Sequence, residues 1–301
     1  MNLRKLTGCL ILFFTLTACA NTTGETNALL WKISGNGLEF PSYLFGTHHL
    51  VPLSFLDSII GLEEAFEATE QTVGELDMSK MSEMQIKIMG AAIMPNEYDY
   101  RTLISEADFQ LLDKTLKELT GIGLDQLGRM KPAMLSNLIS VSLYQKYYPA
   151  LSGSTSIDQH FQEEAARRSR PVRSLETAEE QIRLLLGTQT IERQAELLTC
   201  MVNHPGILKE QMDRLQTAYM AQDINALNAL YEEELPGDPC PGTPEEKDAM
   251  NKDRNERWLK LLPDIVREKP SFIAVGCLHL VGKDGLIVGL QKMGYRVEPV
   301  K

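Results

Sequence analysis

Strand-like apolar runs lie near both ends of the chain, with helix-period patterning between them. Leu29–Ile33 (LLWKI) and Ser42–Phe45 flank the polar turn Ser34–Gly37, which is the pattern of a β-hairpin. Near the other end, Phe272-Ile273-Ala274-Val275 is a continuous apolar run between Ser271 and Gly276, suited to a strand covered on both faces. Both runs continue into the same Gly-x-x-His-Leu-Val pattern, SYLFGTHHLV at Ser42–Val51 and SFIAVGCLHLV at Ser271–Val281. Gly46 aligns with Gly276, His49 with His279, and Leu50-Val51 with Leu280-Val281. After the first unit, Pro52 and Ser54 introduce helical spacing over Phe55–Ala68, and Thr72–Leu76 reads as a strand with Glu75 at its end. After the second, a helical pattern starts near Gly282, with a helix at Leu286–Met293 and a strand at Tyr295–Val300. The expected class is α/β, a central, mostly parallel sheet built from two strand–Gly-x-x-His–helix–strand units. Gly276 reads as the residue that lets the backbone turn sharply. His279 then lies just past the carboxyl end of its strand, where α/β sheets bind ligands.

The middle of the chain reads as helical: Met81–Met94, Ser105–Leu119 with Ser105 as N-cap, Met130–Tyr147, Asp158–Arg168, Thr177–Leu186, Gln189–Val202, Ile207–Tyr219, Asp223–Glu234 and Pro244–Leu262. Pro171–Leu175 is a short strand among them. No clean linker interrupts this pattern. The expectation is one domain over 29–301 with a helical insertion at about 80–262. The methionines of Met81–Met94 read as core gap-fillers and Glu232–Glu234 as a solvated helix end.

The first residues add a destination. Arg4 and Lys5 precede the short apolar run Leu10–Leu16, and Leu16-Thr17-Ala18-Cys19 matches the lipobox of bacterial lipoproteins. Residues 1–18 are read as a signal peptide, Cys19 as the lipidated residue, and 19–28 as that residue and its tether. The protein is thus expected at the bacterial cell envelope, lipid-anchored and facing periplasm or cell surface. Asn21 is not the Asp tied to inner-membrane retention in some bacteria. In an oxidising compartment Cys200 and Cys240 are a candidate disulfide, with two free thiols as the alternative, and Cys277 reads as a buried filler. The formal charge of −11 argues against nucleic acid as a partner.

Chemistry centres on the repeated histidine. His49 and His279 stand at equivalent positions, and Glu75 at a neighbouring strand end adds a hard ligand. Two imidazoles and a carboxylate form a three-ligand metal site with open positions, whose bound water suits amide or ester hydrolysis. Equally, each histidine could hydrogen-bond a loop at a strand-end turn. An H-E-x-x-H helix, a G-x-S-x-G elbow, a P-loop and a G-x-G-x-x-G turn are all absent from the sequence.

Phe45-Gly46-Thr47-His48-His49, Val73-Gly74-Glu75-Leu76-Asp77 and Val275-Gly276-Cys277-Leu278-His279 resemble the motifs of the TraB/GumN family, which includes the Tiki proteases. Ser174-Leu175-Glu176-Thr177 with Gln181 resembles that family's L-E-T…Q segment. Asp253-Arg254-Asn255-Glu256-Arg257-Trp258 resembles its E-R-N-x-x-W/M segment, with Asp where Glu is frequent. The resemblance implies a fold shared with erythromycin-esterase-like and ChaN-like proteins and a site of His49, Glu75, His279 and Arg254. It implies a divalent metal, Mn or Co as in the Tiki branch, with Zn admissible, held by His49, Glu75 and His279. Glu75 would alternatively serve as base, and Arg254 would stabilise an oxyanion or clamp a substrate carboxylate. His48, Asp77 and Asn255 are supporting candidates; His48 has no counterpart in the second motif, where Leu278 stands. The leading expectation is a lipid-anchored metal-dependent hydrolase, a peptidase acting on a peptide or peptide-like substrate. Its rivals are a non-catalytic lipoprotein that binds a peptide or signal in the same cleft, and a small-ester hydrolase.

Overall fold

The computed structural model describes residues 27–150, 155–233 and 238–301; the lipobox, Cys19 and the tether up to residue 26 lie outside them. Strands β1 (Leu30–Gly35), β2 (Ser42–Thr47), β3 (Gln71–Gly74), β4 (Val172–Ser174), β5 (Ser271–Gly276) and β6 (Tyr295–Pro299) form one sheet in the order β4-β3-β5-β2-β1-β6. β2, β5, β3 and β4 run parallel, and β1 is antiparallel to both β2 and β6. The fold is the expected α/β one. The near-continuous apolar run of β5 is buried on both faces, as a central parallel strand must be.

The register explains why the two repeated motifs meet. Gly46 pairs with Val275 and Thr47 with Gly276, so both Gly-x-x-His steps leave the sheet side by side. A Cβ on Gly46 would lie 3.1 Å from both Cα and Cβ of Cys277, so glycine permits this close packing. On the other flank of β5, Gly74 of β3 pairs with Ala274, which brings Glu75 beside Gly276. Gly276 itself has φ −51° and ψ 134°, which any residue adopts. The sharp-turn expectation is therefore corrected. Space is the constraint, because a Cβ there would stand 3.3 Å from Glu75 Oε1.

Between β2 and β3 the single helix expected over Phe55–Ala68 is split into a 3-10 turn at Leu53–Ser58 and α1 at Leu62–Glu67. Ile59 is extended and Gly61 is left-handed (φ 72°), which ends one piece before the other begins. The insertion then carries α2 (Met81–Ala91), α3 (Tyr100–Leu103), α4 (Glu106–Thr120), α5 (Leu124–Leu127), α6 (Pro132–Tyr147), α7 (Ile157–Arg167), α8 (Ala178–Gly187), α9 (Ile191–Asn203), α10 (Pro205–Met220) and α11 (Ile224–Glu232). Ser105 caps α4 as expected, accepting from the Asp108 N–H. The stretch Pro244–Leu262 is two helices, α12 (Pro244–Met250) and α13 (Lys252–Glu268), because Asn251 leaves helical geometry. After β5, a 3-10 turn at Cys277–His279 and left-handed Gly282 delay α14 to Leu286–Lys292, past the expected start near Gly282.

Two cores result. One packs the sheet, with Leu44, Phe45, Phe272 and Ile273 fully buried against Phe161 of α7 and Trp258 of α13. The other lies inside the insertion, where Leu112 and Leu116 of α4 meet Leu135 and Ile139 of α6 and Leu198 of α9. The methionine expectation holds in part: Met84 and Met94 are buried, whereas Met89 is 71% exposed. Cys200 on α9 is bonded to Cys240 (S–S 2.05 Å), and Cys277 is a buried free thiol. No helix among the described residues is long and apolar enough to cross a membrane.

Candidate active site at the carboxyl ends of the parallel strands

Glu75 follows β3, His49 lies two residues beyond β2, and His279 closes the 3-10 turn after β5. Glu176 follows β4, and its N–H donates to the Glu75 carbonyl (3.1 Å), which locks the two strand ends together. Arg254 arrives from α13, where it and Asn255 turn inward from the first turn and are buried, as is Trp258, while Asp253 faces solvent.

Arg254 is the hub. Its Nη2 donates to Glu75 Oε2 (2.6 Å) and to Glu176 Oε1, and its Nε donates to Glu176 Oε2 (3.2 Å). Its Nη1 donates to His279 Nε2 (2.9 Å) and to the Met250 carbonyl (3.4 Å). A guanidinium has five N–H groups, and here all five are committed within the protein. The guanidinium carbon also lies 4.7 Å from the centroid of the Trp258 ring, which shields it from water and adds a cation–π contact. Burial opposes ionisation of Glu75, yet His279, Arg254, His49 and the Gly276 N–H (2.8 Å) outweigh it and hold its carboxyl down at about 2.

The tautomer of His279 follows from its neighbours. The Asn255 amide nitrogen donates to Asn251 Oδ1 and to the carbonyls of His279 and Asp284, so Asn255 Oδ1 is oriented as an acceptor. It receives His279 Nδ1–H at 2.8 Å, leaving the Nε2 lone pair toward Arg254 and 4.0 Å from Glu75 Oε1. Burial lowers the His279 pKa to about 4, so the ring is neutral at physiological pH.

His49 belongs to a second pair. Its Nδ1 lies 2.6 Å from Oδ2 of Asp158, a buried carboxyl that also accepts from Thr47 Oγ1 (2.8 Å). The Asp158 charge raises His49 to about 9 against the opposing cost of partial desolvation among the strand ends, with smaller help from Glu75. With Nδ1 engaged, Nε2 is the atom left for a water, a substrate or a cation, and the side chain is 62% exposed at the strand ends.

The other candidates fall outside this arrangement or support it. His48 turns away, its ring centroid 5.7 Å from that of Tyr144 and 5.3 Å from that of Tyr219, and burial lowers it to about 4. Asp77 accepts from the Ser79 N–H and pairs with Lys80 (3.3 Å), so it caps a 3-10 turn. Asn255 orients His279. The sequence reading did not assign Asp158, Glu176 or Thr47. Asp158 had a visible signal: it and Gln162 share the buried face of α7 with Ile157, Phe161 and Ala165, and an acid on an apolar face asks for a partner.

Two imidazoles and a carboxylate are donor types that suit a divalent cation. His49 is oriented by a buried carboxylate through Nδ1, the usual support of a metal-ligating histidine. His279 presents a neutral Nε2 close to the Glu75 carboxylate; two carboxyl groups (Glu75, Glu176) face the Arg254 guanidinium, and a third, Asp158, faces His49. Arg254 shares His279 Nε2 and Glu75 Oε2, and the donor atoms of His49, Glu75 and His279 do not all lie within 4.8 Å of one another. Among the described residues the one set of three such donors within 4.8 Å of one another is Cys200, His204 and Cys240, whose cysteines are bonded to each other.

These strand-end motifs on a mixed α/β sheet place the chain in a family: it belongs to the TraB/PrgY/gumN family, whose model matches residues 29–299. No curated protein and no solved structure shows a significant match to it.

Proposed function

We propose that this protein is an exported, lipid-anchored, divalent-cation-dependent hydrolase that cleaves peptide or peptide-like substrates. The observation that carries the reading is the pairing of His49 with buried Asp158 at the same strand ends where Glu75 and His279 stand 4.0 Å apart. His49, Glu75 and His279 would hold the cation, Mn or Co by resemblance with Zn admissible. Bound there, it would acidify a water and polarise a scissile carbonyl. Glu75, held near 2, remains a carboxylate at neutral pH and is a poor proton acceptor, so it serves as ligand and fixed charge. To act as a ligand His49 would have to give up its Nε2 proton, and Asp158 would keep the ring in place through Nδ1. Arg254 keeps Glu75 and Glu176 oriented. It turns an N–H toward an oxyanion or substrate carboxylate only by giving up a present partner, of which the Met250 carbonyl at 3.4 Å is the most distant.

The test is cleavage of a peptide library by residues 20–301 with Mn, Co or Zn, beside His49→Ala and His279→Ala. Cation-dependent cleavage lost in both folded variants supports the reading; cleavage that survives chelator and both changes sinks it. The complete internal pairing of Arg254 favours a second reading, a lipoprotein that binds peptides in this cleft without cleaving them. That reading predicts saturable peptide binding with no cation requirement.

A further inference from the structure

One aliphatic face is left uncovered by the fold. On α2, Ile86 and Met89 are 74% and 71% exposed, and Ile93, one turn further on, is 49% exposed. Leu185 of α8 is 49% exposed as well. Lys131 draws the ends of the two helices together: its N–H donates to the Ala92 carbonyl (2.7 Å) and its ammonium to the Leu186 carbonyl (3.0 Å). Ile93 and Leu185 therefore border the same junction, and a Lys87–Glu179 ion pair joins the helices further up. Single exposed apolar residues are ordinary, but a grouped set on adjoining helices marks a contact surface.

The chain's own connectivity names the occupant. The Gly46 N–H donates to the Leu29 carbonyl (2.9 Å), so the N-terminal segment joins the sheet where β2 ends, three residues before His49. α2 leaves that same end of the sheet, through Glu75 and the turn Met78–Lys80 after β3. From Cys19 to Asn27 the chain reaches at most about 29 Å. From β1 to β3 is three strand spacings, roughly 14 Å. The tether is thus long enough for this face to lie on the bilayer that anchors it, and short enough to keep it close. The uncovered side chains are aliphatic, without the aromatic anchors that fix a protein partner. Lys80, Lys87 and Arg183 are offset by Glu83, Glu179 and Glu180, so contact rests on apolar burial rather than on anionic lipid.

We propose that the α2–α8 face, through Ile86, Met89, Ile93 and Leu185, seats on the lipid bilayer that carries the Cys19 anchor. It rests on the anchored-lipoprotein reading but not on hydrolysis. Seated in this way, the strand-end cleft works at the membrane surface, on substrates held there.

The test uses the mature acylated protein in vesicles of phosphatidylethanolamine and phosphatidylglycerol with brominated acyl chains. Trp31 and Trp258 are buried, which keeps background quenching low. Met89→Trp is compared with Met293→Trp. Met293 is 42% exposed and precedes Tyr295, which pairs with Gly35 at the far end of β1. A side chain seated in the acyl boundary should be quenched about threefold more strongly at Met89→Trp than at Met293→Trp. Equal quenching, or none, overturns the proposal. So does a concentration-dependent dimer abolished by Ile86→Glu with Met89→Glu, which would assign the face to a second copy of the chain. Mass spectrometry of Cys19 is read separately: an unacylated protein overturns the anchor and this proposal together and leaves the cleavage test standing.

Discussion

Arg254 Nη1 donates to His279 Nε2 at 2.9 Å, so a permanent cation sits on the lone pair that the second Gly-x-x-His motif presents. The same guanidinium joins Glu75 and Glu176 and rests beside the Trp258 ring. Replacing Arg254 by Ala takes from Glu176, whose side chain is 1% exposed, its main charge partner and leaves it the Gln181 amide (3.0 Å) and Arg257 at 3.9 Å. Breaking a buried pair from one side costs about 3–5 kcal/mol. Denaturant unfolding of Arg254→Ala should show a loss of that order. Arg254→Lys should recover only part of it, because one ammonium cannot span Glu75, Glu176 and His279 together.

His49 depends on Asp158. Asp158→Asn removes the charge that holds the imidazole near 9, so its titration, followed by NMR, should move down toward the ordinary histidine range. If His49 is a cation ligand, the same change should weaken cation binding by about 10–100-fold, the usual effect of losing a ligand's hydrogen-bonded support. An unchanged His49 titration would mean that the 2.6 Å contact does not persist in solution.

The pH dependence of stability has two edges. The folded-state pKa of His49 lies above its unfolded value of 6.5, so its contribution is complete below 6.5 and is lost as pH rises through about 9. Glu75 is depressed from 4.5 to about 2, so its contribution is present above 4.5 and is lost as pH falls through about 2. His279, buried neutral, opposes folding as pH drops from 6.5 toward 4. Melting temperature should therefore fall below about pH 6 and again above about pH 8. Asp158→Asn should flatten the alkaline edge alone.

Gly276→Ala tests the close approach of β3 and β5. The new methyl would stand 3.3 Å from Glu75 Oε1, which also accepts the Gly276 N–H. With φ at −51° the backbone is unstrained, so the expected outcome is a shifted Glu75 and weakened cation binding with a melting temperature within a few degrees of wild type. A collapse of stability would show instead that the neighbours cannot give way.

Much of this was legible in the chain. The apolar run at Phe272–Val275 and its echo at Ser42–Phe45 located the central parallel pair, because strands buried on both faces need uninterrupted apolar residues. The alignment of Gly46 with Gly276 put both histidines at one end of the sheet. The breaks at Gly61 and Asn251 were missed because helical spacing persists across them while a single backbone conformation interrupts the helix. Asp158 was missed as a site residue for a different reason. Its role exists only because α7 packs against β3 and β5, a contact that local spacing cannot reveal. Glu176 stood inside a quoted motif, but a carboxylate two residues past a short strand has no visible partner until α13 delivers Arg254.

The proposed divalent cation is held at the strand ends through both repeated histidines. The most direct measurement is calorimetric titration of chelator-stripped protein, residues 20–301, with Mn, Co and Zn, alongside His49→Ala and His279→Ala checked for folding by circular dichroism. About one cation should bind per chain, with binding lost in both folded variants and protons released on binding. No binding by the wild type, or binding that both variants retain, would contradict the proposed site and leave the cleft to a bound peptide.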